Sequence, residues 1–148
     1  MNEFTIEHIS LGMCDTRKIF EYFTSSNQEF IPALDERVNL EEYVEKIAKN
    51  ADIFWIKNQE KVCGMCAIYF NIGIDAFITS INIRQEFQRK GCAQLLINRV
   101  INEAKRRDIK KIRLKVYQEN SKAINFYDKV GFIKVENAEG WISMELRM

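Results

Sequence analysis

The most constraining feature of the sequence is a change of hydrophobic period just after Asp52. Apolar and polar residues alternate in three successive runs, at Ile53–Lys57, Lys61–Phe70 and Ala76–Arg84. Alternation of this kind is typical of β-strands, and the short connections predict three consecutive antiparallel strands. A run with helical periodicity follows, and alternation returns at Lys110–Tyr117. A helix between two strands implies a crossover connection, so the pattern predicts an α/β chain with a mixed sheet.

The flanking segments complete this order of elements. The predicted additions are a strand at Phe4–Ile9, a helix capped by Asp15 or Thr16, a helix from the cap Asn39 to about Lys49, a helix at Ser121–Val130, and strands at Phe132–Val135 and Trp141–Arg147. Gly131 is expected to end the last helix as a left-handed cap. The predicted order is β-α-α-β-β-β-α-β-α-β-β, in a single domain spanning residues 1–148.

Charge is unevenly distributed along the chain. Residues 84–115 carry 11 Lys and Arg against 3 Asp and Glu, whereas residues 1–83 carry 7 against 13. A basic segment after an acidic half indicates an anionic ligand. Nucleic acid is one alternative, but the basic segment has few aromatic residues for stacking and no helix-turn-helix pattern. We therefore expect no nucleic-acid partner.

The sequence contains no evident membrane or metal-binding segment. No apolar run approaches the roughly 18 residues that span a bilayer, and the first residues lack the pattern of a secretory signal. We expect a cytoplasmic protein without membrane contact. Cys63 and Cys66 form a CxxC pair, but residues three apart on a strand point to opposite faces, and His8 is the only histidine. No metal site is predicted.

A basic loop separates the third strand of the central group from the following helix. Its sequence is Gln88-Arg89-Lys90-Gly91-Cys92-Ala93. The first turn of a helix has unpaired N–H groups and a partial positive charge, so it binds anions when small residues let a phosphate approach. The small residues here are Gly91 and Ala93. The loop predicts a site for a di- or polyphosphate. The alternative is a surface turn whose basic residues are incidental. Neither a Walker A loop nor a GxGxxG fingerprint is present.

Two separated segments resemble the signatures of the GNAT acyltransferase superfamily. The first is Gln88-x-x-Gly91-x-Ala93, similar to the family's Gln/Arg-x-x-Gly-x-Gly/Ala signature. The second is Asn120-x-x-Ala123-x-x-Phe126-Tyr127-x-x-x-Gly131-Phe132. The resemblance covers about residues 50–135, and the preceding part agrees only in the order of elements. It implies a mixed, centrally splayed sheet of about seven strands flanked by about four helices.

The resemblance also implies acetyl-CoA as co-substrate, without a metal. Backbone groups of Ile81 and Ile83 would pair with the pantetheine arm of coenzyme A, and Asn120 would bind the arm near its thiol end. Amides of the loop would hold the pyrophosphate, namely those of Arg89, Lys90, Gly91, Cys92, Ala93 and Gln94. Tyr127 would lie beside the sulfur. From the residues alone, the favoured interpretation is a helix cap for Asn120 and a core aromatic for Tyr127.

The implied reaction is direct attack of a neutral amine on the thioester. Tyr127 is the expected general acid, and the N–H of Ile83 is expected to polarise the carbonyl. No general base is assigned, and ordered water or Glu36 are the alternatives. For Cys92 we expect a reactive but non-catalytic thiol, because a helix N-terminus beside basic residues lowers the pKa of a thiol.

The resemblance also implies a small-molecule or peptide amine as acceptor, bound near the first two helices and the loop between them. That region is rich in carboxylates, at Asp35, Glu36, Glu41, Glu42 and Glu45. These carboxylates favour a cationic acceptor such as a polyamine or a lysine or N-terminal amine, whereas an amino sugar could stack on Tyr22, Phe30 or Tyr43. A solvated acidic helix face explains the carboxylates equally well.

The alternatives to an enzyme are a non-catalytic acyl-CoA-binding module and a nucleic-acid-binding domain. Homodimers are common in the superfamily, but the sequence specifies no interface.

Overall fold

The computed structural model describes residues 3–148. In this range the chain forms seven strands and four α-helices in the predicted order. The strands are β1 (Thr5–Ile9), β2 (Asp52–Asn58), β3 (Lys61–Ile72), β4 (Asp75–Ile83), β5 (Lys111–Tyr117), β6 (Ile133–Ala138) and β7 (Trp141–Arg147). The helices are α1 (Thr16–Ser26), α2 (Leu40–Asn50), α3 (Cys92–Arg106) and α4 (Ser121–Val130), with short 3-10 turns at Asn27–Glu29, Leu34–Glu36 and Gln85–Phe87.

Polar side chains cap α1 and α2 and fix where each helix begins. Asp15 accepts a hydrogen bond from the amide of Arg17 at 3.0 Å, and Asn39 accepts one from the amide of Glu42 at 3.1 Å. Both caps were predicted, because a short acceptor side chain satisfies an amide that has no partner within the helix. The last helix, α4, ends at Gly131, whose φ of +120° favours glycine.

The strands form one mixed sheet with the order β1-β2-β3-β4-β5-β7-β6. Strands β4 and β5 are parallel, and their pairing joins Asp75–Ile78 to Lys111–Leu114 and then stops. Beyond this point β4 continues to Ile83 and β5 to Tyr117, and β5 pairs only with β7. This divergence confirms the predicted centrally splayed sheet and opens a gap in its middle.

Helices cover both faces of the sheet. One apolar cluster lies under α3 and α4 and includes Leu96, Val100 and Phe132, each at most 1% exposed. The second lies under α1 and α2 and includes Phe23 and Ile47, both 0% exposed. The two pairs of helices thus lie on opposite faces of the sheet. Within residues 3–148, no helix is both long and apolar enough to cross a membrane.

A β-bulge in β3 overturns the expectation for the CxxC pair. The register between β2 and β3 passes from Ile56 opposite Gly64 to Lys57 opposite Val62, so Cys63 is an extra residue. An extra residue shifts the alternation of side chains by one position. Cys63 and Cys66 consequently lie in the same apolar cluster under α3, and the prediction that they point to opposite faces is wrong.

Candidate functional site

A cavity of about 820 Å³ occupies the gap between the splayed strands. Its walls are the ends of β4 and β5, the loop before α3, one face of α4 and the segment between α1 and α2. The lining includes most of the predicted site residues: Ile81, Ile83, Gln88, Arg89, Gly91, Cys92, Ala93, Gln94, Asn120 and Tyr127. Lys90 is not part of the lining, and its ammonium lies 5.9 Å from the ring centre of Phe87.

The loop before α3 is shaped as a cradle for an anion. Gly91 precedes the first residue of the helix with φ +82°, and a side chain added there would meet no atom within 4 Å. Gln88 donates a hydrogen bond to the carbonyl of Ile83 at 3.1 Å and accepts one from Lys122 at 2.7 Å. These two bonds hold the loop between β4 and α4. The first amides of α3 thus face open space at one end of the cavity.

The end of β4 presents backbone groups to the gap. The amide of Arg84 donates to the carbonyl of Cys63 on β3 at 2.7 Å. Because successive residues of a strand direct their backbone groups to opposite edges, the N–H and C=O of Ile83 face away from β3. The Gln88 bond to the Ile83 carbonyl agrees with this direction. The amide of Ile83 is therefore available to a molecule lying between β4 and β5.

Tyr127 and Asn120 lie on the α4 side of the cavity. Tyr127 is 8% exposed and packs against the rings of Phe126 and Phe132, with centroids 5.5 and 5.6 Å away. Burial raises the pKa of its phenol above 10.0, and the neighbouring Cys66 adds to the effect. The phenol therefore stays protonated at neutral pH. Asn120 accepts from the amide of Ala123 at 3.3 Å as the cap of α4, which leaves its side-chain NH₂ as a donor.

The opposite wall is a polar stripe along β4. Thr79 is the extra residue of a second bulge, since Ile78 lies opposite Ile68 and Ser80 opposite Ala67. Tyr43 donates to the carbonyl of Thr79 at 2.7 Å.

Two side chains of this stripe retain free polar atoms. The hydroxyl of Tyr22 donates to the side-chain oxygen of Asn82. Within residues 3–148, the hydroxyl of Ser80 and the side-chain nitrogen of Asn82 are buried and have no hydrogen-bond partner. Both residues line the cavity, but these two atoms lie beneath its surface.

A group of residues distant in sequence closes the remaining side. Arg37 lies between two rings, with its guanidinium carbon 5.5 Å from the centroid of Phe30 and 5.3 Å from that of Trp141. Trp141 in turn contacts Tyr117 edge to face at 5.3 Å, and Lys115 lines the same cavity. Sequence reasoning did not identify Arg37 or Trp141 as cavity residues, and no motif in the chain marks them.

Comparison with known protein families agrees with this geometry. Residues 16–132 match the sequence model of the Acetyltransferase (GNAT) family. This match covers most of the chain. The chain belongs to the GNAT family.

Individual relatives give the same result for the fold. An uncharacterized N-acetyltransferase from Methanocaldococcus jannaschii is 37% identical over 73 residues, which cover 49% of this GNAT chain and 32% of that protein. The aligned part thus spans about a third of that relative. The PaiA N-acetyltransferase from Thermoplasma acidophilum, in complex with coenzyme A, superposes with a TM-score of 0.78 at 18% identity, covering 97% of this chain and 99% of that one. A GNAT acetyltransferase from Elizabethkingia anophelis with acetyl-CoA bound gives 0.75 at 16% identity over 100% of both chains.

The acidic residues near α2 do not face the cavity of this GNAT domain. All five are exposed, and none is among the lining residues. Glu36, considered above as a base, accepts from the amide of Ala33 at 3.2 Å. Of the described residues that line the cavity, Glu29 is the one carboxylate, and it accepts from the amide of Gln85 at 2.5 Å. The solvated acidic face is the interpretation that the structure supports.

The expected stacking platform is only partly present. Phe30 lines the cavity, whereas Tyr22 and Tyr43 do not and instead bond to β4. Burial raises the pKa of Tyr43 to about 12, and it also raises that of Tyr22. Neither phenol is therefore a base at neutral pH.

The expectation of a reactive Cys92 thiol is wrong. Its residue is 1% exposed and packs in the cluster under α3. Burial raises the pKa of the Cys92 thiol above 9.0, and this outweighs the lowering by Lys90. Burial disfavours the charged thiolate.

The basic segment does not form a single cationic surface. Three of its arginines bond to the buried carboxylate of Glu103, namely Arg99, Arg106 and Arg107. Arg107 also pairs with the buried Asp52 at 2.7 Å. Much of the local positive charge thus neutralises internal acids.

Within residues 3–148, no group of three His, Cys, Asp or Glu side chains is placed to hold a metal ion.

Proposed function

We propose that this chain transfers an acetyl group from acetyl-CoA to a primary amine by direct attack in a ternary complex. The observation that carries the proposal is the continuity of the cavity. It extends from the amides at the start of α3, past Tyr127, to the polar stripe on β4. A phosphate-bearing donor and an amine acceptor can therefore meet inside it, each against a different wall.

The donor side fits coenzyme A. The amides of Arg89 to Gln94 would hold the pyrophosphate, because the open space at Gly91 admits a phosphate to the backbone. Ile81 and Ile83 would pair with the amides of the pantetheine arm as an added strand does at a sheet edge. The free NH₂ of Asn120 would bind the same arm near the thiol end.

The reactive groups follow from the same arrangement. Acetyl-CoA, when bound, supplies an acyl thioester. The amide of Ile83 would donate to the carbonyl oxygen as negative charge develops on it. Tyr127 holds its proton at neutral pH and would give that proton to the sulfur as the carbon–sulfur bond breaks.

The acceptor nitrogen must lose a proton during the reaction. No free carboxylate lines the described part of the cavity, because Glu29 is bonded to Gln85. Ordered water in the cavity would instead carry the proton to solvent. A rate that rises with pH through the pKa of the acceptor amine is the expected signature.

The test is an acetylation assay of amines that compares Tyr127→Phe with Tyr69→Phe. The panel contains polyamines, lysine peptides, free N-termini and amino sugars, and release of the coenzyme A thiol is measured. Tyr127→Phe should lower kcat roughly 10²–10⁴-fold with little change in acetyl-CoA affinity. Tyr69→Phe removes a buried phenol that does not line the cavity, so kcat should be unchanged. Equal kcat in both variants would refute the role of Tyr127.

A non-catalytic acyl-CoA-binding module predicts a different result. It would bind acetyl-CoA but release no thiol with any amine of the panel. A mass-spectrometric search for acetylated product distinguishes this outcome from slow turnover. Finding no product despite binding would replace the transferase by the binding module.

A further inference from the structure

The acceptor side of the cavity carries positive charge without a matching carboxylate. Arg37 comes from the segment between α1 and α2, which packs on the sheet face opposite α3 and α4. Lys115 alternates on β5 with Leu114 and Val116, both of which lie in the cluster under α3. By the alternation of a strand, Lys115 points to the face that Arg37 occupies. Two cations therefore lie on the wall where the amine is expected.

Neither cation is neutralised by a neighbour. Among residues 3–148, no carboxylate lies within 4.0 Å of the charged nitrogens of Arg37 or Lys115. The nearby Glu29 accepts from the Gln85 amide. In contrast, Arg113 on the same strand lies 3.9 Å from Glu145. Arg37 and Lys115 thus keep their charges available to a molecule in the cavity.

The position of Arg37 suits it to bind a carboxylate. Its guanidinium contacts Phe30 and Trp141, from different parts of the fold. Such contacts limit the movement of the group, and its side chain forms no hydrogen bond to another residue of 3–148. A planar guanidinium has five N–H donors, and two of them match the two oxygens of a carboxylate.

We infer that the acceptor is an amine that also carries a carboxylate, such as an amino acid, and that Arg37 binds this carboxylate with Lys115 nearby. The inference rests on the proposed function and specifies its substrate class. It disfavours polyamines, because a second ammonium group would lie beside Arg37 and Lys115 without a free carboxylate to offset it. A cationic acceptor thus loses its sequence-based support, since the acidic residues that motivated it do not line the cavity.

A purely structural role is the alternative for Arg37. Its ring contacts connect the segment between α1 and α2 to β7, and their loss would loosen that segment. Such loosening would impair every acceptor alike. Recognition of a carboxylate would impair acidic acceptors selectively. The ratio of rates for acidic and neutral acceptors therefore distinguishes the two explanations, whereas the overall activity does not.

The experiment measures kcat/KM for matched pairs of acceptors with the wild type and Arg37→Gln. Each acid is assayed beside its primary amide, which lacks the carboxylate: β-alanine, γ-aminobutyrate, ε-aminocaproate and glycine with their amides. The acid-to-amide ratio of kcat/KM in the wild type is then divided by the same ratio in the variant. Differences in basicity between an acid and its amide cancel in this quotient. The matched control is Arg113→Gln, because Arg113 is exposed and lies outside the cavity lining.

For the best acceptor pair, Arg37→Gln should lower the acid-to-amide ratio roughly 10- to 100-fold, as expected for lost charge-assisted hydrogen bonds. Arg113→Gln should leave the ratio unchanged. An unchanged ratio in Arg37→Gln, or faster acetylation of putrescine than of every acid by the wild type, would overturn the inference. If acetyl-CoA raises the melting temperature but no acid is acetylated, the substrate class is wrong and the donor site stands. If acetyl-CoA has no effect on melting, the proposed function itself fails.

Discussion

Replacing Gly91 by alanine should separate its role in folding from its role in binding. Gly91 has φ +82° at the start of α3, a conformation that costs a residue with a side chain roughly 1–2 kcal/mol. The new methyl group would meet no protein atom within 4 Å, so no steric term is added. The melting temperature should therefore fall by only roughly 2–8 °C. The variant remains folded at room temperature.

Binding of acetyl-CoA should weaken as well, for a separate reason. The methyl group would occupy the space through which a phosphate reaches the first amides of α3. Loss of one hydrogen bond to a charged group costs roughly 1.5–3 kcal/mol, which corresponds to roughly a 10- to 150-fold weaker Kd for acetyl-CoA. The assay is isothermal titration calorimetry with acetyl-CoA, accompanied by thermal unfolding of the same samples.

Gly73→Ala is the matched control. Gly73 has φ +73°, and a side chain there also meets no atom within 4 Å, but it lies in the turn between β3 and β4. The backbone cost should be the same, and acetyl-CoA binding should be unchanged. Equal acetyl-CoA affinities for the two variants would refute the reasoning that the α3 loop cradles the phosphates.

Three further predictions concern packing, pH and thiol chemistry. Gly64→Ala should destabilise the protein by roughly 1–3 kcal/mol in urea unfolding, because its side chain would lie 2.6 Å from the backbone oxygen of Asn82; wild-type stability would contradict the close packing of β3 on β4. Hydrogen bonds from Arg106 and then Arg107, opposed by partial burial, lower the pKa of Glu103 from 4.5 to about 2. A carboxylate with a depressed folded-state pKa stabilises the fold above the unfolded pKa, and this contribution is lost as pH falls through the folded one. The stability gap between wild type and Glu103→Gln should thus shrink as pH falls from 4.5 toward 2, and a constant gap would contradict the pairing. Iodoacetamide should modify the partly exposed Cys14 before the buried Cys92, and equal rates by peptide mapping would contradict the burial of Cys92.

The order of elements was predictable because each element carries its own local signal. Helix α2 is an example, since Asn39 caps it and apolar residues recur on one side. The two site segments were recognised for the same reason: each is short, contiguous and marked by small residues such as Gly91. The gap, by contrast, was expected only from the resemblance to the GNAT superfamily, because no local pattern marks where two paired strands diverge.

Features that depend on pairing between distant segments were not predictable. The bulges at Cys63 and Thr79 arise from register between strands, and no residue type marks them. The contact of Arg37 with Trp141 joins a loop to the last strand, so neither residue identifies the other from sequence. The Cys92 error has a related cause: its neighbours in sequence are basic, but its neighbours in space are apolar.

Thermal melting of the wild type with acetyl-CoA tests the central claim most directly, because it requires neither an acceptor nor turnover. A ligand that binds only the folded state adds roughly 2.7 kcal/mol at about 100 times its Kd. For a chain of this size the melting temperature should rise by roughly 5–10 °C. The cavity between β4 and β5 predicts this rise. An unchanged melting temperature at saturating acetyl-CoA would contradict the assignment of that cavity as the acetyl-CoA site.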